Sequence, residues 1–499
     1  MSVSLRAADP CLIAEDGSCL PAPQLVKANP VTYNHERHAV AQETAILVKR
    51  KSNVTPANFR AELQALGLRN IVGLTVKGWW RVPVPLGESA DQLINRLTGM
   101  HDVQLVEKDG MMQASFTPND PYFSLYQWGP QQIQAPTVWD MDGGSPGVWL
   151  AVVDSGIDYN HPDSPYFLYR GYNFVNNTAD PYDDYMHGTH VAGIVAAAAN
   201  NSVGIAGLCY YCGLLAVKVM EDSSGGSYSN IASGIEYAAY WGQQYGKKTI
   251  INLSLGSPYY SAVIAQAVSD AQGMGALVIA AAGNNGPGLP SYPAALPGVV
   301  AVAATDPLDN PASFSQYGSI AAPGVNILST VPGWYTYPPY TYSSGTSMAA
   351  PHVAGAAGLV WSLFPGCTSY SVAAELESTV DIPPGWNANY GSGRLDVNNA
   401  ILRFTSSTLP SANTGFFYNS NIYSFGGAGS KSYTVVSGAL PPGIGLSNWG
   451  WVYGTPSQPG VYTFYIRVSD GICEYVDRQF SIAVYAPVFL PIVAKNTGG

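Results

Sequence analysis

The stretch VWLAVVDSGID, residues 148–158, carries the strongest information about the fold. Its first six residues form an apolar, β-branched run, which is typical of a strand buried on both faces of a parallel sheet. Asp154 follows that run directly, so we expect its carboxylate at the C-terminal end of a strand. Open α/β sheets build their functional sites at this edge. The stretch therefore predicts an α/β domain with Asp154 in its functional site.

Two further motifs supply a base and a nucleophile. His187 opens HGTHVAGIVAAAA, and Ser347 lies at the start of a second helix-like run in SGTSMAAPHVAG. A serine hydroxyl needs an imidazole to accept its proton and a carboxylate to orient that imidazole. Taken singly, each residue is more often a cap or a core side chain, and we interpret His190 and His352 as structural. The three motifs together predict a hydrolase that acts through an acyl-enzyme.

A fourth motif is the apolar run ALVIAAAG, which predicts a strand that ends in a glycine-rich turn at Asn284. The side-chain amide of this residue is a candidate donor to the oxyanion of a tetrahedral intermediate. A donor of this kind contributes about 10²- to 10³-fold to kcat. We therefore add Asn284 to the predicted catalytic residues.

These motifs, in this order, resemble the subtilisin-like serine proteases of the subtilase family, and within them the thermitase group. The resemblance covers residues 117–403, from TPNDPYF through NNSVGIAGL and INLSLGS to GSGRLDV. The chain order Asp, His, Ser is also the order of that family. The resemblance implies a doubly wound, mainly parallel sheet flanked by helices, and serine endopeptidase activity of broad specificity with an apolar preference.

The resemblance also implies how a peptide is bound. Extended peptides take affinity from main-chain hydrogen bonds and specificity from side-chain pockets. An edge strand, a facing pocket wall and a more distant hydrophobic subsite are assigned, in that order, to Ser254, Leu255 and Gly256, to Ala281, Ala282 and Gly283, and to Tyr228 and Ile231. Small wall residues suit a large apolar side chain, and the neutral Asn285 offers no strong attraction for basic substrates. Ordinary helix-start packing is the alternative reading of Tyr228 and Ile231.

Structural calcium is the cofactor that the resemblance implies. The matching positions are Asp120, Asp163 and Asn201 with the backbone carbonyls of Val203, Ile205 and either Ala198 or Ala199. Oxygen ligands of this kind are those that calcium prefers. The alternative is a capped turn with solvated acids. A second calcium site of the group is poorly kept, since Asn173, Asn176 and Thr178 stand where aspartates are expected, although Asp180, Asp183 and Asp184 lie nearby.

The chain before the peptidase region divides into an N-terminal extension, residues 1–40, and a small unit, residues 41–116. Strand-like and helix-like segments alternate in the small unit as β-α-β-β-α-β, the ferredoxin-like order, with Thr55 and Ser89 as predicted helix caps. Directly before a subtilase, this unit resembles the family's inhibitory propeptide, released by cleavage between Asp109 and Pro118. A permanently attached accessory domain is the alternative.

Residues 404–499 show period-two alternation between Pro-Gly and Asp-Gly turns, which predicts an antiparallel sandwich. Phrases such as SGALPPGIGLS and GWVYGTPSQPGVYTFYIRVSD resemble the Ig-like domains of bacterial secreted proteins. We interpret this region as a spacer or adhesion module. It also supplies the alternative function, a surface adhesion or binding protein in which the protease fold is only a scaffold.

Composition sets the remaining expectations. The net charge of −11 and the lack of basic runs argue against nucleic acid as a partner, and no stretch approaches the roughly 20 apolar residues of a membrane span. Six cysteines allow 15 pairings; we favour a local Cys209–Cys212 disulfide, while Cys11–Cys19 and Cys367–Cys473 are open alternatives. We expect a secreted monomer that acts on protein or peptide substrates and is inhibited by its own propeptide.

Overall fold

A computed structural model describes residues 11–13, 19–28, 45–85, 88, 90–109, 116–221 and 225–486. The first described strands are β1 (Cys11–Ile13), β2 (Cys19–Pro21) and β3 (Gln24–Ala28). Strand β1 pairs with β2, whereas β3 joins the sheet of the peptidase region. The N-terminal extension therefore contributes a strand to the peptidase sheet, which no motif in its sequence predicted.

The small unit has the predicted ferredoxin-like arrangement. Its elements are β4 (Ala45–Arg50), α1 (Pro56–Ala65), β5 (Val72–Gly73), β6 (Trp79–Pro83), α2 (Ala90–Leu97) and β7 (Val103–Lys108). The strands form an antiparallel sheet in the order β5–β6–β4–β7. Thr55 caps α1 as predicted, since its hydroxyl accepts a hydrogen bond from Asn58 N at 3.3 Å. The predicted cap Ser89 lies outside the described residues.

The elements of the predicted peptidase region, residues 117–403, come next along the chain. Its elements are α3 (Phe123–Tyr126), α4 (Trp128–Gln132), α5 (Ala135–Trp139), β8 (Val148–Asp154), β9 (Phe167–Asn173), α6 (His187–Ala196), β10 (Gly213–Lys218), α7 (Tyr228–Gln244), β11 (Lys248–Leu253), α8 (Ala262–Gly273), β12 (Leu277–Ala281), β13 (Val300–Thr305), β14 (Ile320–Pro323), β15 (Ile327–Thr330), β16 (Tyr340–Ser343), α9 (Thr346–Leu363) and α10 (Ser369–Ser378). A short 3₁₀ helix covers Ala388–Tyr390.

One eight-stranded sheet organises this domain, in the order β14–β13–β12–β11–β8–β10–β9–β3. All its pairs are parallel except the antiparallel pair of β3 with β9. Every residue of β8 is buried, as its uninterrupted apolar run predicts for a central parallel strand. The predicted doubly wound, mainly parallel α/β fold is confirmed.

Helices cover both faces of the sheet and form two cores. One core contains side chains of α6 and α9, and the other contains side chains of α7 and α8. The small residues of the motif helices permit close packing. A Cβ atom on Gly355 of α9 would lie 2.6 Å from Leu208 Cβ, too close for any larger residue. The Ala- and Gly-rich composition of these helices is thus a packing requirement.

The C-terminal region is an all-β sandwich, as predicted. Its strands are β17 (Arg403–Phe404), β18 (Ala412–Asn413), β19 (Tyr418–Asn421), β20 (Ser424–Phe425), β21 (Ser432–Gly438), β22 (Ile444–Leu446), β23 (Trp451–Gly454), β24 (Gly460–Ser469) and β25 (Tyr475–Tyr485). They form sheets ordered β18–β25–β24–β21 and β19–β23–β22, with the pair β17–β20 beside them. Alternate residues of β24, including Phe464 and Ile466, fill the core between the sheets.

Disulfide bonds occur within and between domains. Cys209 bonds to Cys212, the local pair that the spacing favours, and Cys367 bonds to Cys473 and joins the peptidase domain to the sandwich. The suggested partner of Cys19 is Cys11, whose side chain lies outside the described residues. No helix in the described part of the chain is long and apolar enough to cross a bilayer.

Candidate active site

Asp154 ends strand β8 and is completely buried. One of its carboxylate oxygens, Oδ1, accepts hydrogen bonds from Ser155 N at 2.7 Å and from His187 Nδ1 at 2.8 Å. The backbone carbonyl of Asp154 accepts from Val219 N at 2.8 Å, which ties the strand end to its neighbour. A carboxylate held in this way fixes the tautomer of the imidazole, leaving Nε2 to accept a proton.

His187 is the first residue of α6, and a second buried aspartate builds that helix start. Asp183 Oδ2 accepts from Thr189 N at 2.9 Å and from the Thr189 hydroxyl at 2.5 Å. Its Oδ1 accepts from the Ser155 hydroxyl at 2.9 Å, and Ser155 Oγ in turn accepts from Gly188 N at 2.8 Å. These bonds satisfy amide groups that a helix N-terminus leaves unpaired. They place His187 on a rigid support.

The charge of Asp154 controls the protonation of His187. Burial lowers the pKa of His187, but the negative charge of Asp154 and its hydrogen bond more than offset this effect. The pKa of His187 is therefore raised above its ordinary value. The neighbouring His190 is fully buried and its pKa is lowered to about 3, chiefly by burial, so it stays neutral as a structural residue.

Ser347 is the second residue of α9, and a proline in that helix changes its surroundings. Pro351 has no N–H to donate to the carbonyl of Ser347, four residues earlier. The Ser254 hydroxyl donates to that carbonyl instead, at 2.8 Å. In return, Ser347 Oγ donates to Ser254 O at 3.0 Å. The predicted nucleophile is thus locked against the predicted substrate-binding segment.

Among the described residues, Ser347 Oγ forms no hydrogen bond with His187. The hydroxyl group donates to Ser254 O instead. Catalytic hydrogen bonds are often long or misaligned without substrate and tighten when it binds. Asp154 and His187 are therefore brought into direct contact, while Ser347 lies on the adjoining helix start with its hydroxyl turned aside.

Asn284 lies in the turn after β12, with its amide beside the start of α9. Its Oδ1 accepts from Thr346 N at 2.8 Å and from Thr346 Oγ1 at 2.9 Å, which fixes the orientation of the side chain. The Nδ2 group is on the opposite side of the amide. A Cβ atom built on Gly345 would lie 3.4 Å from Asn284 Nδ2 and 3.6 Å from Ser347 N. Two N–H donors therefore border the same space.

A cavity of about 310 Å³ lies beside the residues predicted for the distant subsite. Tyr228 and Ile231 of α7 line it together with Leu255 and Gly256, so four of the predicted binding residues meet there. Further apolar lining comes from Met220, Pro258, Tyr259, Ile264, Tyr292 and Pro293. Tyr228 is also anchored by a 2.8 Å hydrogen bond between its hydroxyl and Ser257 Oγ. The cavity can accept an apolar side chain.

The predicted pocket wall runs from the end of β12 into the following turn. Ala281 and Ala282 are buried, and Ala282 O accepts from Ser291 N at 2.7 Å. Gly283 has a φ of 116°, and a Cβ atom there would meet Gln316 Oε1 at 2.0 Å. Glycine is therefore required at this position by both backbone conformation and space. The wall is small and rigid.

The residues predicted to bind calcium converge on one loop. Asp120 accepts from Asn200 N at 2.6 Å and from Asn201 N at 3.3 Å. Asp163 accepts from Asn201 Nδ2 at 2.8 Å and from Ile205 N at 2.9 Å, and its carbonyl accepts from Ala198 N at 3.4 Å. Asn201 Oδ1 accepts from Val203 N at 2.7 Å, which is the capped turn of the alternative interpretation.

The chemistry of this loop nevertheless fits a cation. Asp120 and Asp163 are both buried, and burial raises the pKa of Asp163 to about 7, with the charge of Asp120 adding to the effect. Two buried carboxylates with an amide oxygen form an all-oxygen donor set, which suits calcium. Of the two alternative carbonyl ligands, Ala199 O already accepts a hydrogen bond from the Tyr166 hydroxyl at 2.8 Å. The structure thus keeps this loop as a candidate calcium site.

At the second candidate calcium site, the nearby aspartates already have protein partners. Asp183 is occupied by the bonds to the α6 start, and Asp184 pairs with Lys218 at 2.7 Å. Lys218 Nζ also donates to Ser155 O at 2.6 Å. Asp180 accepts the Tyr159 hydroxyl at 2.8 Å. The ammonium group of Lys218 therefore lies at the position where nearby aspartates could have replaced the missing calcium ligands.

Sequence reasoning missed three side chains that support the site: Ser155, Asp183 as a helix cap, and Lys218. Signals for them existed. Ser155 follows Asp154 directly, Asp183 precedes His187 by one helical turn, and Lys218 is a single charge closing the apolar run GLLAVK. Their hydrogen bonds cross between separate elements, so their joint role could not be read from any one motif.

Comparison with known proteins places these features in a family. A model of the subtilase family matches residues 145–393, and an Ig-domain model matches residues 401–485. Thermitase of Thermoactinomyces vulgaris is 45% identical over 291 residues, covering 57% of this chain and 99% of thermitase. A thermophilic serine proteinase of Bacillus sp. (strain AK1) is 38% identical over 378 residues, covering 74% of this chain and 90% of that protein.

A solved protease structure from Pseudoalteromonas arctica superposes with a TM-score of 0.51 at 32% identity, covering 57% of this chain and 98% of that one. The match spans nearly the whole of that protease and of thermitase, so the shared part is a complete enzyme. Family, fold and the arrangement around Asp154 agree. The chain belongs to the subtilase family and is a serine endopeptidase.

Proposed function

We propose that Ser347 is the nucleophile, His187 the general base and Asp154 the residue that orients the base. The observation that carries this assignment is the 2.8 Å hydrogen bond between Asp154 and His187, on the same sheet edge as the start of α9. Substrate binding turns Ser347 Oγ from Ser254 O to His187 Nε2. The oxygen attacks the peptide carbonyl carbon as its proton passes to His187, which then protonates the leaving amine.

Asn284 Nδ2 and Ser347 N are proposed to bind the oxyanion. Support comes from the fixed amide orientation, with Oδ1 held by Thr346, and from the two donors that border the space beside Gly345. Donors that are already oriented stabilise developing charge without reorganisation. Water then hydrolyses the acyl-enzyme by the reverse proton path.

The substrate is proposed to be an extended peptide with apolar side chains, which lies along Ser254, Leu255 and Gly256. The apolar cavity at Tyr228 and Ile231 supports this preference, and so does the small wall of Ala281, Ala282 and Gly283. Asn285 adds no charge to attract basic residues. The expected specificity is broad, because main-chain contacts carry most of the affinity.

Structural calcium is proposed at Asp120, Asp163 and Asn201, with the carbonyls of Val203, Ile205 and Ala198 completing the set. The ion would neutralise the two buried carboxylates and fix the loop that follows α6. Its role is stability, since nothing in the proposed chemistry needs a metal. Asp163→Asn is expected to abolish the calcium-dependent rise in Tm that this site provides.

Residues 41–116 are proposed to be an inhibitory propeptide of a secreted, monomeric enzyme. The ferredoxin-like sheet directly before the peptidase domain supports the first point, and disulfides, which persist in oxidising compartments, support secretion. The pairing of β3 with β9 adds a consequence. Cleavage between residues 109 and 118 would produce an N-terminal fragment that contains β3. Because β3 pairs with β9, this fragment should stay bound to the enzyme after the cut.

Intact-mass measurement of the unsubstituted and Ser347→Ala proteins, each produced with calcium, tests maturation. Under denaturing conditions, only the unsubstituted protein should lose its first 109 to 118 residues. Under native conditions the released fragment should still accompany the enzyme. Identical full-length masses for both proteins would contradict self-processing and favour the accessory-domain alternative.

The adhesion alternative is supported by aromatic side chains on the sandwich surface. Phe416, Phe417 and Trp449 are each more than 60% exposed and so are available to contact a partner. An adhesion role of this domain is compatible with a working protease. A scaffold role for the protease fold is not, because it predicts no reaction of Ser347 with an active-site reagent.

A further inference from the structure

Three buried carboxylates meet at the junction of the peptidase domain and the sandwich. Glu375 lies on α10, while Asp470 and Glu474 lie in the turn between β24 and β25. Each residue is at most 1% exposed. One oxygen from each carboxylate lies within 4.8 Å of the others. We call these residues the junction cluster.

Hydrogen bonds satisfy only part of the junction cluster. Asp470 Oδ1 accepts from Ile472 N at 2.9 Å and from Glu474 N at 3.1 Å. Glu474 Oε2 accepts from Leu402 N at 2.8 Å. Four buried oxygens have no partner within the described chain: Glu375 Oε1, Glu375 Oε2, Asp470 Oδ2 and Glu474 Oε1.

Glu375 is the decisive member. Its side chain is completely buried and neither of its oxygens has a hydrogen-bond partner of normal geometry among the described residues, while the Ala428 amide and the Asp470 carboxyl group lie near enough to shift its pKa in opposite directions. A buried, unpaired carboxylate is strongly unfavourable, so it must either take up a proton or face a cation. The subtilase resemblance assigns no role to Glu375. The other two members of the cluster, Asp470 and Glu474, belong to the sandwich, which lies outside the region of that resemblance.

The charge of Lys431 offsets only part of the charge of the cluster. Lys431 Nζ donates to the carbonyls of Gly427, Ala428 and Gly429, and no ion pair within the described chain joins it to the cluster. Three carboxylates and one ammonium leave two negative charges. A divalent cation would balance them.

We propose that Glu375, Asp470 and Glu474 together bind one calcium ion between the peptidase domain and the sandwich. Calcium binds carboxylate oxygens at 2.3–2.6 Å, so two oxygens on opposite sides of one ion are roughly 4.6–5.2 Å apart. Three oxygens that lie within 4.8 Å of one another share a point at most about 2.8 Å from each of them, so a small side-chain adjustment brings all three to calcium distance. The cluster offers only oxygen, which disfavours zinc and copper, whose preferred ligands are imidazole and thiolate.

The position of the site indicates its effect. Glu474 adjoins Cys473, whose disulfide partner Cys367 lies just before α10. The ion and the disulfide would therefore join the same two segments of the two domains. The disulfide limits how far the domains can separate, and the ion would fix how they pack. The site is distinct from the loop of Asp120 and Asp163.

Protons are the competing occupants. Burial raises the pKa of Glu375 to about 8 and that of Glu474 to about 9. A proton-sharing cluster would be neutral enough to remain buried without any metal. A glutamine imitates the protonated, neutral form of glutamate in size and charge, and this substitution therefore separates the two occupants.

Calorimetric titration of calcium into the full-length Ser347→Ala protein, previously stripped of metal, tests the proposal. Adding Glu375→Gln should remove one equivalent of bound calcium. The matched control is Glu377→Gln, two residues along the same helix and outside the cluster, which should leave the number unchanged. Equal calcium binding with and without Glu375→Gln would overturn the proposal in favour of a protonated cluster, and an equal loss in the control would also overturn it.

A second pair of variants guards against misfolding and against confusion with the other calcium site. Glu474→Gln should remove the same equivalent as Glu375→Gln, and the double variant should remove no more than one. Asp163→Asn should remove a different equivalent, so that its loss adds to that of Glu375→Gln. Losses at Glu375 and Glu474 that add to two equivalents would contradict a shared ion.

Discussion

Asp183 and Glu375 are both completely buried carboxylates, yet their surroundings are opposite. Asp183, beneath the active site, accepts hydrogen bonds from backbone amides and from two hydroxyl groups. Glu375, at the junction with the sandwich, has no hydrogen-bond partner of normal geometry among the described residues, and the Ala428 amide offsets only part of its burial. A buried charge must be compensated wherever it lies. The hydrogen bonds of the fold offset part of the burial of Asp183, whereas the Ala428 amide and the Lys431 charge are the protein groups that offset the burial of Glu375, which leaves room for a bound cation or proton.

This difference separates two kinds of function. Groups around Asp154 and Asp183 hold a reaction geometry that must exist before the substrate arrives. The junction cluster holds an unsatisfied charge, which makes its domain contact sensitive to what the solution supplies. The catalytic rate should therefore depend on individual hydrogen bonds, whereas the packing of the two domains at the junction should depend on calcium.

The largest effect is expected for Asp154→Asn. This change removes the charge that orients His187, and kcat should fall by about 10⁴-fold. Because Asp154 raises the pKa of His187, and His187 must be neutral to act as a base, the acid limb of kcat/KM should also move to lower pH. Steady-state kinetics across pH measure both effects. An unchanged acid limb would contradict the role of Asp154.

Asp183→Ala should have the next largest effect. It tests whether the hydrogen bonds to Asp183 stabilise the fold, in contrast to Glu375. Its donors lose their acceptor, and each unsatisfied buried donor costs about 1–3 kcal/mol. In the Ser347→Ala background, the free energy of unfolding should fall by about 3 kcal/mol or more. Asp180→Ala, at an exposed position of the same loop, is the control and should change stability by less than about 0.5 kcal/mol.

Glu375→Gln without calcium should, by contrast, leave stability unchanged or raise it, since glutamine needs neither a proton nor a cation to remain buried at this position. Thermal unfolding of both variants in calcium-free buffer compares the two regions. A Glu375→Gln protein as destabilised as Asp183→Ala would show that the two carboxylates are equally satisfied by the fold, and the contrast would then be wrong.

Asn284→Ala tests the active-site region alone. The loss of one oxyanion donor should lower kcat by about 10²- to 10³-fold with little change in KM. Asn285→Ala, the next residue and also exposed, should keep kcat close to that of the unsubstituted enzyme. A rise in KM with unchanged kcat would assign Asn284 to substrate binding instead.

Much of this arrangement could be predicted from the sequence, because local pattern and chemistry coincide in it. The apolar run before Asp154 forms the central strand β8, and the small residues after His187 form the closely packed helix α6. Thr55 and Pro56 begin α1 where the capping pattern placed it. In each case the information lies within a few neighbouring residues.

The remainder depends on contacts between distant segments. Strand β3 completes the peptidase sheet from the N-terminal extension, more than 130 residues before its partner β9. Glu375 and Glu474 lie 99 positions apart and come together only because two domains dock. The exchange of hydrogen bonds between Ser254 and Ser347 follows from Pro351, whose effect becomes visible only when the helix and the strand end are placed side by side.

The most direct test of the account is labelling of the full-length protein with a fluorophosphonate, followed by peptide mapping. The reagent requires a serine activated by its own base. One adduct per chain is expected, located on Ser347, and none in the Ser347→Ala protein. Absence of an adduct on Ser347 in the unsubstituted protein, or peptide hydrolysis that persists in Ser347→Ala, would contradict it.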